Sequence, residues 1–314
     1  MNEFFKRTLK VCIALGTSTV CTPPILSQNF IVTSGSTVSV AAGTILTVGG
    51  DYTNSGTVIL ESTSSAYSQL RISGSASGSI VQSQYLEAGS HLISSPVSQG
   101  FTTTSGDKTK LNSYDAAAGN WATIGANFAT AGFGFAARVD ASQIPFLTAA
   151  ANASVTGTPN TSMTHILGYA SNVAAGGSGS GWNLIGNPYT CGLDWSTVSL
   201  TNVNSAFYIW DPATTSYKYY SGAGAAITNP VIPPMQAFWV QATQAGASIS
   251  TTMATHGSVS SSPAYYKTIH DYLIVTVTKV GDSATTDRLW VANILGTSDG
   301  FDGAYDAWKM TNGP

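Results

Sequence analysis

Gly35-Ser36-Thr37-Val38-Ser39-Val40, Gly43-Thr44-Ile45-Leu46-Thr47-Val48, Gly56-Thr57-Val58-Ile59-Leu60 and Gly78-Ser79-Ile80-Val81 repeat one small pattern: a turn glycine, a hydroxyl residue, then a short alternating strand. Strands this short, with β-branched residues at alternate positions and Gly at the corners, predict the rungs of a β-solenoid or a tightly wound meander over residues 29–86. A two-sheet sandwich would give a similar pattern. Asn54 tolerates turn geometry and, in a solenoid, can stack on equivalent residues between rungs.

The composition of the whole chain points the same way. Of 314 residues, 79 are Ser or Thr and 32 are Gly, whereas Glu occurs only as Glu3, Glu61 and Glu87. Long soluble helices need Glu, Lys, Leu and Ala on their faces, so strands and turns are favoured. Only 9% of residues are charged but 43% are hydrophobic, the reverse of the balance that keeps a chain disordered. A net charge of -3, with 12 Lys and Arg scattered along the chain, offers no basic patch for phosphates, which excludes nucleic acid as a main partner.

Beyond the rungs the chain carries a duplicated pattern. His91-Leu92-Ile93-Ser94-Ser95-Pro96-Val97 matches Asn183-Leu184-Ile185-Gly186-Asn187-Pro188-Tyr189. Tyr114-Asp115 followed by Gly119-Asn120-Trp121 matches Trp210-Asp211-Pro212 followed by Tyr217, and Gly134-Phe135-Ala136-Ala137 matches Ala237-Phe238-Trp239-Val240. The offsets are 92, 96 and 103, rising as they would if the second copy had longer loops. Two β-sandwich-like units are predicted, over 87–148 and 181–257, joined by a Ser/Gly/Ala/Asn-rich linker at 149–180. In each, an Asp-containing turn joins two aromatic-rich strands. After Ser258–Ser262, Tyr272-Leu273-Ile274-Val275-Thr276-Val277 and Arg288-Leu289-Trp290-Val291-Ala292 read as a strand and its return partner around Gly281-Asp282-Ser283. Pro314 then arrives two strands into a fold that needs about seven, so 263–314 reads as a truncated Ig-like β domain. The predicted fold class is all-β throughout.

Residues 1–28 have the order of a secretory signal peptide: Lys6, Arg7 and Lys10, an apolar stretch from Val11 to Val20, then Pro23, Pro24 and the small Ser27. A lipoprotein signal ending at Cys21 fits Ser18-Thr19-Val20 poorly. Cleavage near Gln28 leaves nine basic and fourteen acidic groups, a net charge of -5, and one thiol, Cys191. No intramolecular disulfide can then form, and a small buried hydrophobe is the commoner role for a lone cysteine. No later stretch approaches 18 consecutive apolar residues, so no membrane span is expected in the mature chain.

Gly181-Trp182-Asn183-Leu184-Ile185-Gly186-Asn187-Pro188-Tyr189, Asp194-Trp195, Tyr208-Ile209-Trp210-Asp211 and Ile232-Pro233-Pro234-Met235-Gln236-Ala237-Phe238 resemble a pattern in large surface and secreted proteins exported by the type IX secretion system. Phe301-Asp302 with Tyr305-Asp306-Ala307-Trp308-Lys309 resembles the segment leading to the C-terminal sorting domain of those proteins, a domain this sequence lacks. The resemblance implies export and surface attachment or release. It supplies no catalytic residues, because that family shares architecture rather than chemistry.

The residues themselves carry few signs of catalysis. His91, His165, His256 and His270 are scattered singly with no zinc-binding spacing, and read as surface or hydrogen-bonded side chains. Gly177-Ser178-Gly179-Ser180-Gly181 puts glycine where a serine nucleophile belongs. Gly132-Phe133-Gly134-Phe135-Ala136-Ala137 copies a dinucleotide fingerprint without the β-α-β unit that gives it meaning. A glycosidase needs two facing carboxylates, and the mature chain keeps only two glutamates. Asp299, Asp302 and Asp306 beside Gly300 and Gly303 could gather around calcium, although the spacing is not that of an EF-hand and turn or cap positions explain it as well. No cofactor is expected. The aromatic set of Trp182, Tyr189, Trp195, Tyr208, Trp210, Tyr217, Tyr219, Tyr220 and Trp239 is the one candidate ligand surface. Trp195, Tyr217 and Tyr219 are its predicted ligand-binding members, with Tyr208 and Trp210 on the buried side and Trp195 in an exposed loop. The predicted function is that of an exported, non-enzymatic surface or extracellular protein, structural or adhesin-like, with surface glycans or other surface proteins as partners. The alternative is an accessory carbohydrate-binding region of a secreted hydrolase.

Overall fold

Gly35, Gly43 and Gly78 hold φ values of 79°, 89° and 86°, the left-handed region that lets a chain turn sharply between short strands. Between such corners run β1 (Phe30–Val32), β2 (Thr37–Val40), β3 (Ile45–Val48), β4 (Tyr52–Asn54), β5 (Thr57–Leu60), β6 (Gln69–Ile72), β7 (Ala76–Ser77) and β8 (Ile80–Leu86). The computed structural model describes residues 29–64, 66–101, 111–123, 131–139, 149, 151–170, 181–212, 214–222, 227, 229–255, 272–279 and 282–292. The signal-peptide reading, His256, His270 and the Asp299/Asp302/Asp306 cluster lie outside these residues.

The first eight strands stack in parallel into three sheets, β1-β4-β7, β2-β5-β8 and β3-β6. Phe30 pairs with Tyr52, Thr37 with Thr57 and Ile45 with Gln69, so each coil returns after 20 to 24 residues. Parallel winding of this kind is a solenoid rather than a meander, whose neighbouring strands would be antiparallel. Val48, Tyr52, Val58, Leu60, Leu70 and Ile72 point inward and are buried. Asn54 does not stack on asparagines: Val32 is its partner in the preceding coil and Gly78 follows two residues after Ala76 in the next. Instead its Oδ1 accepts from Gly56 N at 2.8 Å and its Nδ2 donates to Ser79 O, tying one corner to the next.

β9 (Gly89–Ser94), β10 (Asn112–Asp115), β11 (Asn120–Thr123) and β12 (Gly134–Val139) form an antiparallel sheet in the order β11-β10-β12-β9. The stretch read as a linker instead contributes β13 (Ala151–Gly157) and β14 (Ser162–Ile166). Its Ser, Thr and Ala content hides a period-2 strand: Ala153, Val155 and Gly157 of β13 are buried while their neighbours are exposed. Next come β15 (Trp182–Gly186), β16 (Leu193–Asp194), β17 (Ser199–Thr201), β18 (Phe207–Asp211), β19 (Ser216–Tyr220), β20 (Val231–Ile232), β21 (Ala237–Gln241) and β22 (Ser248–Thr252). A second four-stranded sheet has the order β19-β18-β21-β15, and β14-β22-β17 form a smaller one. Finally β23 (Tyr272–Lys279) and β24 (Asp282–Ala292) pair antiparallel.

The two four-stranded sheets correspond strand for strand. Leu92 pairs with Ala136 as Leu184 pairs with Trp239, Asn112 with Ala136 as Tyr208 with Trp239, and Tyr114 with Trp121 as Trp210 with Tyr217. They are also joined reciprocally: Ile93 bridges Gln236 and Ile185 bridges Phe133. Ser94 N donates to Met235 O at 3.0 Å, and Gly186 N donates to Gly132 O at 2.8 Å. Met235 and Gly132, the two acceptors, both hold positive φ, 61° and 68°. Such mutual contacts are those of an isologous pair, here within one chain.

The sandwich region is fixed to the solenoid at two places. β13 covers the free edge of β8 over its whole length, Ala151 to Gly157 against Leu86 to Ile80. At β6, Leu70 N donates to Thr190 O at 3.0 Å, Thr190 Oγ1 donates to Leu70 O at 2.6 Å, and Gly192 N donates to Gln69 Oε1 at 2.8 Å. Edge groups that would otherwise template foreign strands are thus paired.

Candidate functional site

Alternation gives each strand of the sandwich two different faces. On one face, Leu92, Leu184, Tyr208 and Trp239 are buried between the sheets, with Tyr114, Trp121, Trp210, Tyr217 and Tyr219 packed around them. The Trp239 ring meets Tyr114 at 4.8 Å and Trp121 at 5.6 Å, both edge-on, the geometry that aromatic quadrupoles favour. On the other face, Ile93, Phe135, Ile185, Phe207 and Phe238 join the core that runs on into the solenoid. Most of the aromatic set is therefore packing between the two sheets.

Trp195 lies in a different core cluster from Tyr217 and Tyr219, which share one face of β19. Trp195 is 4% exposed, its Nε1 donates to Ser205 O at 2.6 Å, and its ring packs on Phe207 and Phe238 at 5.4 and 5.7 Å. This corrects the expectation of an exposed loop ring. Asp194 caps a single 3-10 turn, Trp195–Thr197, accepting from Ser196 N at 3.0 Å, and that turn carries the indole inward. Tyr217 and Tyr219 are half-buried on β19. Burial pushes the Tyr217 phenol up to about 12, and its oxygen accepts from Trp239 Nε1 at 3.3 Å. Tyr208 is buried as expected, whereas Trp210 is only half-buried. Trp195→Phe should remove the indole N–H bond to the Ser205 carbonyl and trim part of the buried ring, costing about 1 to 2 kcal/mol in denaturant unfolding. A melting temperature equal to the wild type would contradict this placement.

The polar residues of the Trp182–Tyr189 string serve the backbone. Asn183 Oδ1 accepts from Gly168 N at 2.9 Å while its Nδ2 donates to Gly168 O and Gly181 O. Asn187 Nδ2 donates to Cys191 O, Ile232 O and Pro233 O, and the buried Tyr189 hydroxyl meets Thr251 Oγ1 at 2.5 Å. Cys191 is buried, and desolvation pushes its thiol up to about 12, so it is a core residue rather than a nucleophile.

A cavity of about 340 Å³ opens where the solenoid meets the sandwich. The solenoid supplies Tyr67, Gln84 and Tyr85; the sandwich supplies His91, Trp210, Asp211 and Gln236, with Pro212, Pro233 and Pro234 as stiff walls. His91 Nε2 donates to Glu87 O at 2.7 Å, and burial holds the imidazole below its ordinary range against the opposing effect of Glu87. Asp211, 2% exposed, pairs with Lys218 Nζ at 2.7 Å and accepts from Thr214 Oγ1 at 2.7 Å. Tyr67 Oη, Gln84 Oε1 and Trp210 Nε1 are buried with no hydrogen-bond partner among the described residues. Sequence reasoning missed this site because its walls come from segments far apart in the chain. The His91–Val97, Tyr208–Asp211 and Ile232–Phe238 patterns are visible, but nothing in them shows that they meet Tyr67, Gln84 and Tyr85.

Among the described residues, no three His, Cys, Asp or Glu gather where they could hold a metal ion, and no helix is long and apolar enough to cross a membrane. No protein-family model, curated protein or solved structure matches the chain. His165 departs from the expected surface or hydrogen-bonded role: its Nε2 is buried without a partner among the described residues, and desolvation lowers its pKa from 6.5 to about 4. The unfolded chain binds this proton below about pH 6.5 and the folded one resists it until about pH 4, so stability should fall as pH drops through that window, by about 2 kcal/mol. Urea unfolding at pH 7 and pH 4.5 measures the fall, and His165→Phe should flatten it. An unchanged slope in the variant would place the titrating group elsewhere.

Proposed function

We propose that the chain is an exported, non-enzymatic surface or extracellular protein of structural or adhesin-like type, whose two sandwich units are copies of one β-unit. The observation that carries this reading is how its most distinctive residues are used. Asn183, Asn187 and Trp195 brace backbone segments of the sandwich, Tyr189 joins Thr251, and Thr190 ties the sandwich to β6 of the solenoid, which suits a rigid display framework. The resemblance of the Trp182–Tyr189 string to type IX secretion cargo, and the charge and apolar order of residues 1–28, support export.

Mass spectrometry of protein released by protease treatment of intact cells tests it. The mature N-terminus should lie within a few residues of Gln28, and cells lacking the chain should attach less well to a surface they normally colonise. A chain found only inside cells with Met1 retained would contradict the reading. The second reading, an accessory carbohydrate-binding region of a secreted hydrolase, is favoured by the cavity at Trp210. A catalytic domain adjoining these β-units in the full-length gene would select it.

A further inference from the structure

We propose that the cavity between solenoid and sandwich binds a small organic cation, a substituted ammonium with apolar groups on its nitrogen. Its volume, about 340 Å³, lies near the lower end of the roughly 300 to 1,000 Å³ usual for small-ligand sites, which suits a compact solute. Charge sets the class. Two carboxylates line the cavity, Glu87 and Asp211, and no Lys or Arg does. Asp211 is buried and already neutralised by Lys218 Nζ at 2.7 Å. Glu87 differs: its side chain is exposed, and its carboxylate has no ion-pair partner among the described residues. Burial holds the His91 imidazole below its ordinary range, so at neutral pH it brings no competing positive charge. An anion would meet an uncompensated carboxylate here, whereas a cation meets a vacant counter-charge.

The walls decide which kind of cation. Tyr85 and Trp210, both half-buried, bring aromatic rings to the cavity, and Pro212, Pro233 and Pro234 add apolar surface that loses no side-chain freedom on binding. Indole and phenol rings attract cations through their quadrupoles, and they do so equally for nitrogens that carry methyl groups in place of N–H donors. A bare metal ion needs several oxygen, nitrogen or sulfur ligands, and among the described residues no three His, Cys, Asp or Glu gather to hold one. Apolar walls would also leave a strongly hydrated ammonium without the water it gives up. A cation clothed in carbon matches the walls and the carboxylate together.

Calorimetric titration of the purified chain with choline tests the site, beside acetate and the uncharged isostere of choline in which carbon replaces the ammonium nitrogen. Choline should bind saturably and about tenfold more tightly than the isostere, and acetate should not bind. Glu87→Gln should weaken choline about threefold to fivefold without moving the melting temperature, because the carboxylate it replaces is exposed and makes no ion pair among the described residues. Tyr85→Leu should weaken it about threefold through the lost ring; if that variant does not fold, Glu87→Gln carries the test. Asp51→Asn removes an equal charge outside the cavity and should bind choline as the wild type does. No saturable choline binding, equal affinity for the isostere, wild-type affinity in Glu87→Gln, or an equal loss in Asp51→Asn would each overturn the proposal. The site does not depend on export: choline binding by a chain found inside cells would uphold it and sink the export reading, and surface exposure without choline binding would do the reverse.

Discussion

Asn187→Leu is expected to cost on the order of 5 kcal/mol and to leave the sandwich unfolded under mild denaturant. Asn187 is fully buried, with Nδ2 shared among the carbonyls of Cys191, Ile232 and Pro233 at 2.9 to 3.0 Å and Oδ1 accepting from Tyr189 N at 2.9 Å. Leucine has a similar size and none of these bonds. Three carbonyls and one N–H would lose their side-chain partner in a site closed to water, and each such loss costs about 1 to 3 kcal/mol. The loop they belong to also presents Thr190 to β6, so solenoid and sandwich should loosen together. Urea unfolding by tryptophan fluorescence measures the change. A loss below about 1 kcal/mol would mean that Asn187 is not the brace described.

Gly186→Ala should cost more than about 3 kcal/mol, a large effect for one methyl group. A Cβ built on Gly186 falls 2.0 Å from both Cβ and Oγ of Ser94, far inside any tolerated contact. The neighbour cannot swing aside, because the clash reaches the Ser94 Cβ, and Ser94 N is held to Met235 O. Relief requires the two sheets to part, which would break the Ile93–Gln236 and Ile185–Phe133 bridges. Ser94→Ala, by contrast, keeps the occupied side occupied and should change stability little. Equal effects from the two substitutions would contradict the geometry.

The backbone of this fold was largely readable in sequence, and the site was not. Short alternating strands with Gly corners signalled all-β structure. The offsets of 92, 96 and 103 are those at which the registers of the two four-stranded sheets correspond, because strand pairing follows local alternation and turn chemistry. What sequence could not supply was which faces meet. Trp195 looked like a loop ring because Asp194 marks a turn, yet a capped turn can send a side chain inward as readily as outward. β13 was hidden by Ser, Ala and Thr, whose strand character depends on the neighbour they cover. The cavity joins Gln84 to Trp210 across 126 positions of chain, a juxtaposition set by tertiary docking alone.

The central structural claim is that the two four-stranded sheets are equivalent halves meeting at Ser94 and Gly186, with room for one side chain between them. Exchanging the two residues tests it most directly. Gly186→Ser alone should unfold the sandwich, and adding Ser94→Gly should restore most of the lost stability, since the single side chain is only moved across the junction. Near-complete recovery of the urea midpoint in the double variant is the expected result. Additive losses, leaving the double variant no better than Gly186→Ser alone, would contradict the equivalence of the two halves.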